Sequence, residues 1–195
     1  MVSVRRLAPV LLLVAVTSTG CAVQYDGVSM TPGSTQPQVN NLSPELKKNI
    51  SELQTALQAM SPSISPREAA DVAYDAYIYP RHLANEWGLT WPPLYHNVLR
   101  NAKKRPAGLC TDWTQAMRTH MYKKKLKTFD LWWGVAYKGN AWREHSTLVM
   151  TAKGKPFDSG ILLDPWRNSG ELFWSRVPDD EDYPWKVFQD PSMAR

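Results

Sequence analysis

Two cysteines are all that this chain of 195 residues carries. That is too few for a disulfide framework, and only one disulfide is possible if both are free to pair. Several other signals are missing. There is no glycine-rich dinucleotide loop, no phosphate-binding loop and no serine nucleophile elbow, which excludes nucleotide chemistry and α/β-hydrolase chemistry. No apolar run approaches the roughly 20 residues that a spanning helix requires. No close ligand pair such as Cys-x-x-Cys or His-x-x-x-His is present, so no metal and no cofactor are expected. No segment repeats. The charge excess is mild: +5 over the whole chain, falling to +3 once Arg5 and Arg6 are removed with residues 1–20. That gives no ground for a nucleic-acid partner.

What is present begins with an export pattern. Arg5 and Arg6 precede an apolar run over residues 7–16, and small residues at 17–20 lead to Cys21. The stretch resembles a bacterial lipoprotein signal, in which the cysteine after the cut is diacylated. The resemblance implies lipidation of Cys21. With Ala22 in place of an aspartate, it also implies an outer-membrane anchor facing the periplasm. Simple cleavage, or a fortuitous apolar start, stays open. Residues 21–41 are rich in Gly, Ser, Thr, Pro, Gln and Asn. Such a segment has little to bury against its ordering entropy and is expected to be a flexible tether.

Residues 42–195 are expected to form one α+β domain, with N-terminal helices packed against an antiparallel sheet. Ser43-Pro44 reads as an N-cap and first helical position, followed by the stripe Leu46, Ile50, Leu53, Leu57 and Met60. Ser65 and Glu68 are spaced as a capping box for a second helix, which Pro80 is expected to break or kink. Residues 89–105 read as loop or short helix, and a further helix is expected over 109–124. The period then changes to two. Strands are expected at 129–138, 142–151 and 160–164, followed by an aromatic, proline-rich wrap with little regular structure. The lysines at 123, 124, 125 and 127 read as a wet face, with contact to an anionic surface as the other reading.

With Cys21 assigned to lipid, Cys110 is the one free thiol, and it opens the third expected helix. The positive end of a helix favours a thiolate. His145 stands on the second strand and Asp164 ends the third, nineteen residues on. Antiparallel pairing would bring both side chains to one end of the sheet, where a histidine can serve the thiol and a carboxylate can hold the histidine. At Gly108-Leu109-Cys110-Thr111-Asp112-Trp113, Glu144-His145-Ser146-Thr147 and Leu163-Asp164-Pro165-Trp166 the chain resembles the papain-like superfamily in its transglutaminase-like form. The resemblance implies that Cys110 is the nucleophile, His145 the base and then acid, and Asp164 the orienter. It also makes Trp113, Trp142 and Trp166 candidates for the pocket wall. None of the glutamines ahead of Cys110 is placed as the papain-type oxyanion-hole residue, so the backbone N–H of Cys110 and a further donor are assigned that task.

Blander readings of the same residues remain. Cys110 can be a small packing residue, His145 a satisfied strand histidine, and Asp164 the cap of a turn. A zinc site of Cys110, His145 and Asp164, with His120, is a further alternative without supporting local spacing. His82 and His96 have no evident partner. Nine tryptophans suit core and rim packing, with some available to stack on a glycan or peptide. The expectation is a cell-envelope thiol hydrolase or acyltransferase acting on a peptide or amide bond, with a peptide or peptidoglycan-like substrate and the envelope membrane as partner. The alternative is a non-catalytic envelope binding or assembly lipoprotein on a degenerate cysteine-peptidase-like fold.

Overall fold

The computed structural model describes residues 20–188. The expected signal segment, Gly20 apart, lies outside the described residues, as do residues 189–195. Four helices and a set of antiparallel sheets make an α+β fold. Helix α1 (Pro44–Ala59) begins where expected, with Ser43 Oγ accepting from Leu46 N–H at 3.1 Å, and buries Leu46, Leu53 and Leu57. Helix α2 (Pro66–Trp87) starts at the Ser65 cap. The capping box is only half formed. Ser65 Oγ accepts from Glu68 N–H at 3.4 Å, but the Glu68 carboxylate turns away to accept from the backbone of Lys127 and Thr128. It thereby pins the start of the sheet to the start of α2.

Pro80 does not end α2. The helix continues seven residues further, because buried Ala76, Tyr77 and Ile78 before it and Leu83 and Ala84 after it hold both halves against neighbours. That burial outweighs the roughly 3 kcal/mol cost of an interior proline. Gly88 closes the helix in the left-handed conformation, φ 60°. The ambiguous stretch contains helix α3 (Pro93–Asn101), and α4 runs from Cys110 to Lys123.

Five strands form the main sheet: β5 (Phe129–Ala136), β6 (His145–Ala152), β7 (Ile161–Asn168), β8 (Glu171–Arg176) and β9 (Lys186–Val187). Their spatial order is β8-β7-β6-β5-β9. Central β6 is buried at every position. It begins three residues later than expected, because Asn140 Oδ1 accepts from the N–H groups of Trp142 and Arg143 and closes a turn there. Leu148, Met150, Ile161 and Leu163 face α1, α2 and α4, whereas Val149 and Leu162 face Phe157, Val177 and Trp185. The C-terminal segment therefore covers the second face, and it is more regular than expected. Its β8 pairs with β7 from Ile161–Arg176 to Asp164–Phe173, because Leu172 and Trp174 alternate onto the core side.

The stretch expected as a free tether lies on the domain. Strand β1 (Cys21–Ala22) pairs with β4 (Thr90–Trp91), and β2 (Val28–Met30) pairs with β3 (Pro37–Val39). Tyr25 N–H donates to Asn85 Oδ1, Asn85 Nδ2 donates to the Tyr25 carbonyl, and Val28 and Val39 pack on the main core. Few apolar residues suffice here, because backbone pairing supplies the rest. The lysine cluster is also not uniformly wet, since Lys124 reaches buried Asp75 at 2.5 Å. No helix among the described residues is long and apolar enough to cross a membrane.

Candidate active site

Cys110 is the first residue of α4, and a polar lock fixes the turn before it. Gly108 sits at φ 129°, and a Cβ there would stand 2.3 Å from His96 Nε2. His96 is fully buried. Its Nδ1 accepts from Thr90 N–H at 3.3 Å, and its Nε2 donates to the Ala107 carbonyl at 2.8 Å. So His96, which seemed to lack a partner in sequence, is a structural clamp; His82 faces Glu86 at 3.3 Å. Asp112 Oδ2 accepts from the N–H groups of Gly108 and Leu109, each at 3.0 Å, and Arg100 faces the same oxygen at 3.2 Å. These contacts occupy the donors just ahead of Cys110. The Cys110 N–H belongs to the first turn, whose donors have no partner within the helix.

The sheet brings the other two residues to this point. Paired residues of β6 and β7 run from Met150–Ile161 to Leu148–Leu163. Beyond that the Thr147 hydroxyl takes the Leu163 carbonyl, and an irregularity lies between Asp164 and Asn168. A bulge of this kind re-aims side chains. Asp164 Oδ2 accepts from His145 Nε2 at 2.6 Å and from Arg167 Nε at 2.9 Å, while Oδ1 accepts from Trp166 N–H at 3.1 Å. Asp164 therefore caps its turn and holds the histidine at once. With Nε2 committed, Nδ1 is the ring nitrogen left for the Cys110 thiol. Under period two, His145 belongs to the sheet face of Val149, opposite the face on which α4 packs. The thiol and the imidazole therefore share the groove at the end of the sheet, the end to which the sequence pattern assigned His145 and Asp164.

His145 is 2 % exposed. Burial by itself lowers its pKa. The Asp164 charge and hydrogen bond, reinforced by hydrogen bonding and charge from Cys110, override that and push it up to about 9. The imidazolium is thus the favoured form at neutral pH. Three rings enclose it: Trp166, Tyr183 and Trp185, with centroids at 4.7, 4.8 and 5.5 Å. Behind Asp164, the Arg167 guanidinium lies over Phe173 at 4.1 Å and Tyr183 at 4.6 Å, and it pairs with Asp180. Asp180 also accepts from the Trp185 indole at 2.7 Å.

A groove of about 860 Å³ opens over the thiol. It is lined by Cys110 and His145, by Trp166 and Tyr183, and by Pro93, Asn97 and Val98 of α3. Of the three tryptophans expected at a pocket, Trp142 and Trp166 line this groove. Trp113 does not: it is 1 % exposed and packs against Trp87, Leu83 and Leu89, because it lies on the core side of α4. Cys21 stands opposite Trp91, which is on the groove's rim. His120 is ten residues along α4 from Cys110, about 15 Å at 1.5 Å per residue. Among the described residues no cluster of three or more His, Cys, Asp or Glu side chains could hold a metal ion.

Arg167, Asp180, Tyr183, Trp185 and Asn97 gave no functional signal in the sequence. Arg167 stands three residues after Asp164, but only the irregular geometry at 164–168 turns it back. Asp180 and the two aromatics arrive from the C-terminal segment. Comparison with family models, with curated proteins and with solved structures returns no match to this chain.

Proposed function

We propose that the protein is a thiol acyl-transfer enzyme of the bacterial cell envelope, papain-like in its transglutaminase-like form and anchored through lipid on Cys21. The observation that carries the chemistry is the Cys110–His145–Asp164 line. The 2.6 Å Asp164–His145 bond and the imidazolium held to about pH 9 beside the thiol supply the proton that the departing amine needs. Cys110 Sγ attacks the carbonyl carbon of a peptide or amide bond. His145 gives its proton to the departing amine, and the carbon–nitrogen bond breaks to leave a thioester. Water then loses a proton to His145, attacks the thioester and releases the acid and the thiolate. An amine in place of water gives transamidation. Asp164 keeps the ring oriented throughout, and Arg167 holds Asp164.

The oxyanion falls to the Cys110 N–H and to Asn97. Asn97 lines the groove, and its Oδ1 already accepts from the Trp166 indole at 3.2 Å, which leaves the amide N–H₂ for a substrate oxygen. A binding module draws support from Trp142, 94 % exposed at the groove. Incubation with an activated acyl ester separates the two readings. The enzyme reading expects one acyl adduct on Cys110 by mass spectrometry, decaying in water and missing in Cys110→Ser. An absent or non-turning-over adduct leaves the binding module.

A further inference from the structure

Among the described residues, four of the five exposed large apolar side chains stand around the groove; the fifth, Tyr122 on α4, stands apart from it. Trp142 is 94 %, Leu94 65 %, Val98 63 % and Trp91 48 % exposed, and all four line or rim the same opening. Scattered exposed apolar residues are ordinary, but a contiguous group of large ones marks a contact surface. Their arrangement has a local cause. Helix α3 turns Pro93 and His96 inward and therefore presents Leu94 and Val98 outward, one turn apart. Exposed Lys103 and Lys104 follow the helix directly and Arg143 follows Trp142, while Arg100 on the helix is paired with Asp112. Glu144 and Asp182 also line the groove; the Asp182 carboxylate faces Arg167 at 3.5 Å, whereas Glu144, which accepts from Gly139 N–H, keeps its charge against Lys103, Lys104 and Arg143. The balance is basic around an apolar centre, which suits an anionic lipid surface.

The chain's own path gives the same direction. Removal of residues 1–20 leaves Cys21 as the first residue of the anchored chain, so its own placement fixes where the lipid starts. Cys21 is then bound in a strand pair with Trp91. No free tether separates the lipid-bearing position from the groove. An acyl anchor on Cys21 enters the bilayer at the rim of the site.

We propose that the groove face docks on an anionic bilayer, so that Cys110 works on amide or ester carbonyls borne by molecules embedded in that bilayer. This rests on the anchored thiol enzyme proposed above, but the docking can be read without activity. Full-length Cys110→Ala protein carrying Val98→Cys is labelled at residue 98 with an environment-sensitive fluorophore. It is then reconstituted in phosphatidylcholine vesicles containing phosphatidylglycerol and spin-labelled lipid. Ser51→Cys on α1, which lines no part of the groove, is the control. Docking predicts a blue shift and about twofold or greater quenching at 98 and little at 51. Leu94→Ser with Trp142→Ser should reduce quenching at 98, and this pair leaves the Cys21 anchor in place. Equal, weak quenching at both sites overturns the proposal, and so does a concentration-dependent blue shift at 98 without lipid quenching, which signals a second copy. The intact mass reports Cys21 acylation separately, and acyl trapping on the unlabelled chain reports the thiol chemistry.

Discussion

The molecule holds two buried aspartate–histidine pairs that look alike at short range and differ in everything around them. Asp75 and His120 meet at 2.6 Å, as do Asp164 and His145. Each aspartate also faces a cation, Lys124 at 2.5 Å and Arg167 at 2.9 Å. Tyr79 stacks on His120 at 3.9 Å and 14°, and neither His120 nor Asp75 lines the groove over Cys110. His145 shares an open groove with a helix-terminal thiol, and its second ring nitrogen is not taken by Asp164. A short carboxylate–imidazole bond is therefore not a catalytic signature by itself. What the second ring nitrogen meets decides whether the pair is a strut or a site.

The widest separation between the pairs is in rate. His145→Ala should slow acyl transfer by about 10³-fold or more, the scale of a lost acid–base group. His120→Ala should leave turnover per folded molecule within a few-fold of the parent. Both are checked by steady-state kinetics normalised to trapped thiol. Equal losses would erase the distinction drawn here.

Stability should sort the pairs in the opposite sense. Asp75→Ala leaves Lys124, whose side chain is 7 % exposed, without its carboxylate. The expected cost is about 3–5 kcal/mol. Asp164→Ala should cost less in urea unfolding, because Arg167 keeps Asp180. A smaller loss at Asp75 than at Asp164 would show that the first trio is not the structural one.

The smallest of these effects is in pH. The folded pKa of His145 is raised to about 9, above the ordinary value near 6.5. A raised histidine pKa contributes stability fully present below about pH 6.5 and lost as pH climbs through about 9. The loss should be on the order of 3 kcal/mol, read from denaturant midpoints across that window. It should be absent in His145→Gln. A midpoint that rises over the same window in the parent would contradict the sign.

The sequence made one of the two pairs visible. Cys110, His145 and Asp164 stood out because an isolated thiol at a helix start is unusual and antiparallel strands relate residues at predictable separations. The helix caps at Ser43 and Ser65 were visible because capping is local. Asp75–His120 was not, since forty-five positions separate its members and neither carries a local signal. Nor was Glu68's switch from its own helix to Thr128, which depends on where the sheet begins. The strands at 21–22, 28–30 and 37–39 escaped because their stability comes from pairing with distant backbone, and β8 because aromatic content masked its alternation. Trp113 shows a related limit: adjacency to Cys110 does not make a pocket residue when helical period turns it inward.

The most direct test of the Cys110–His145 pair is the pH dependence of iodoacetamide alkylation at Cys110, in the parent, His145→Ala and His120→Ala proteins. A paired thiolate should react well below the pH at which free thiols, with pKa near 8.5, become reactive. His120→Ala should keep that low-pH reactivity and His145→Ala should lose it. Alkylation confined to pH above about 8 in all three proteins would leave both aspartate–histidine pairs as struts and Cys110 as packing.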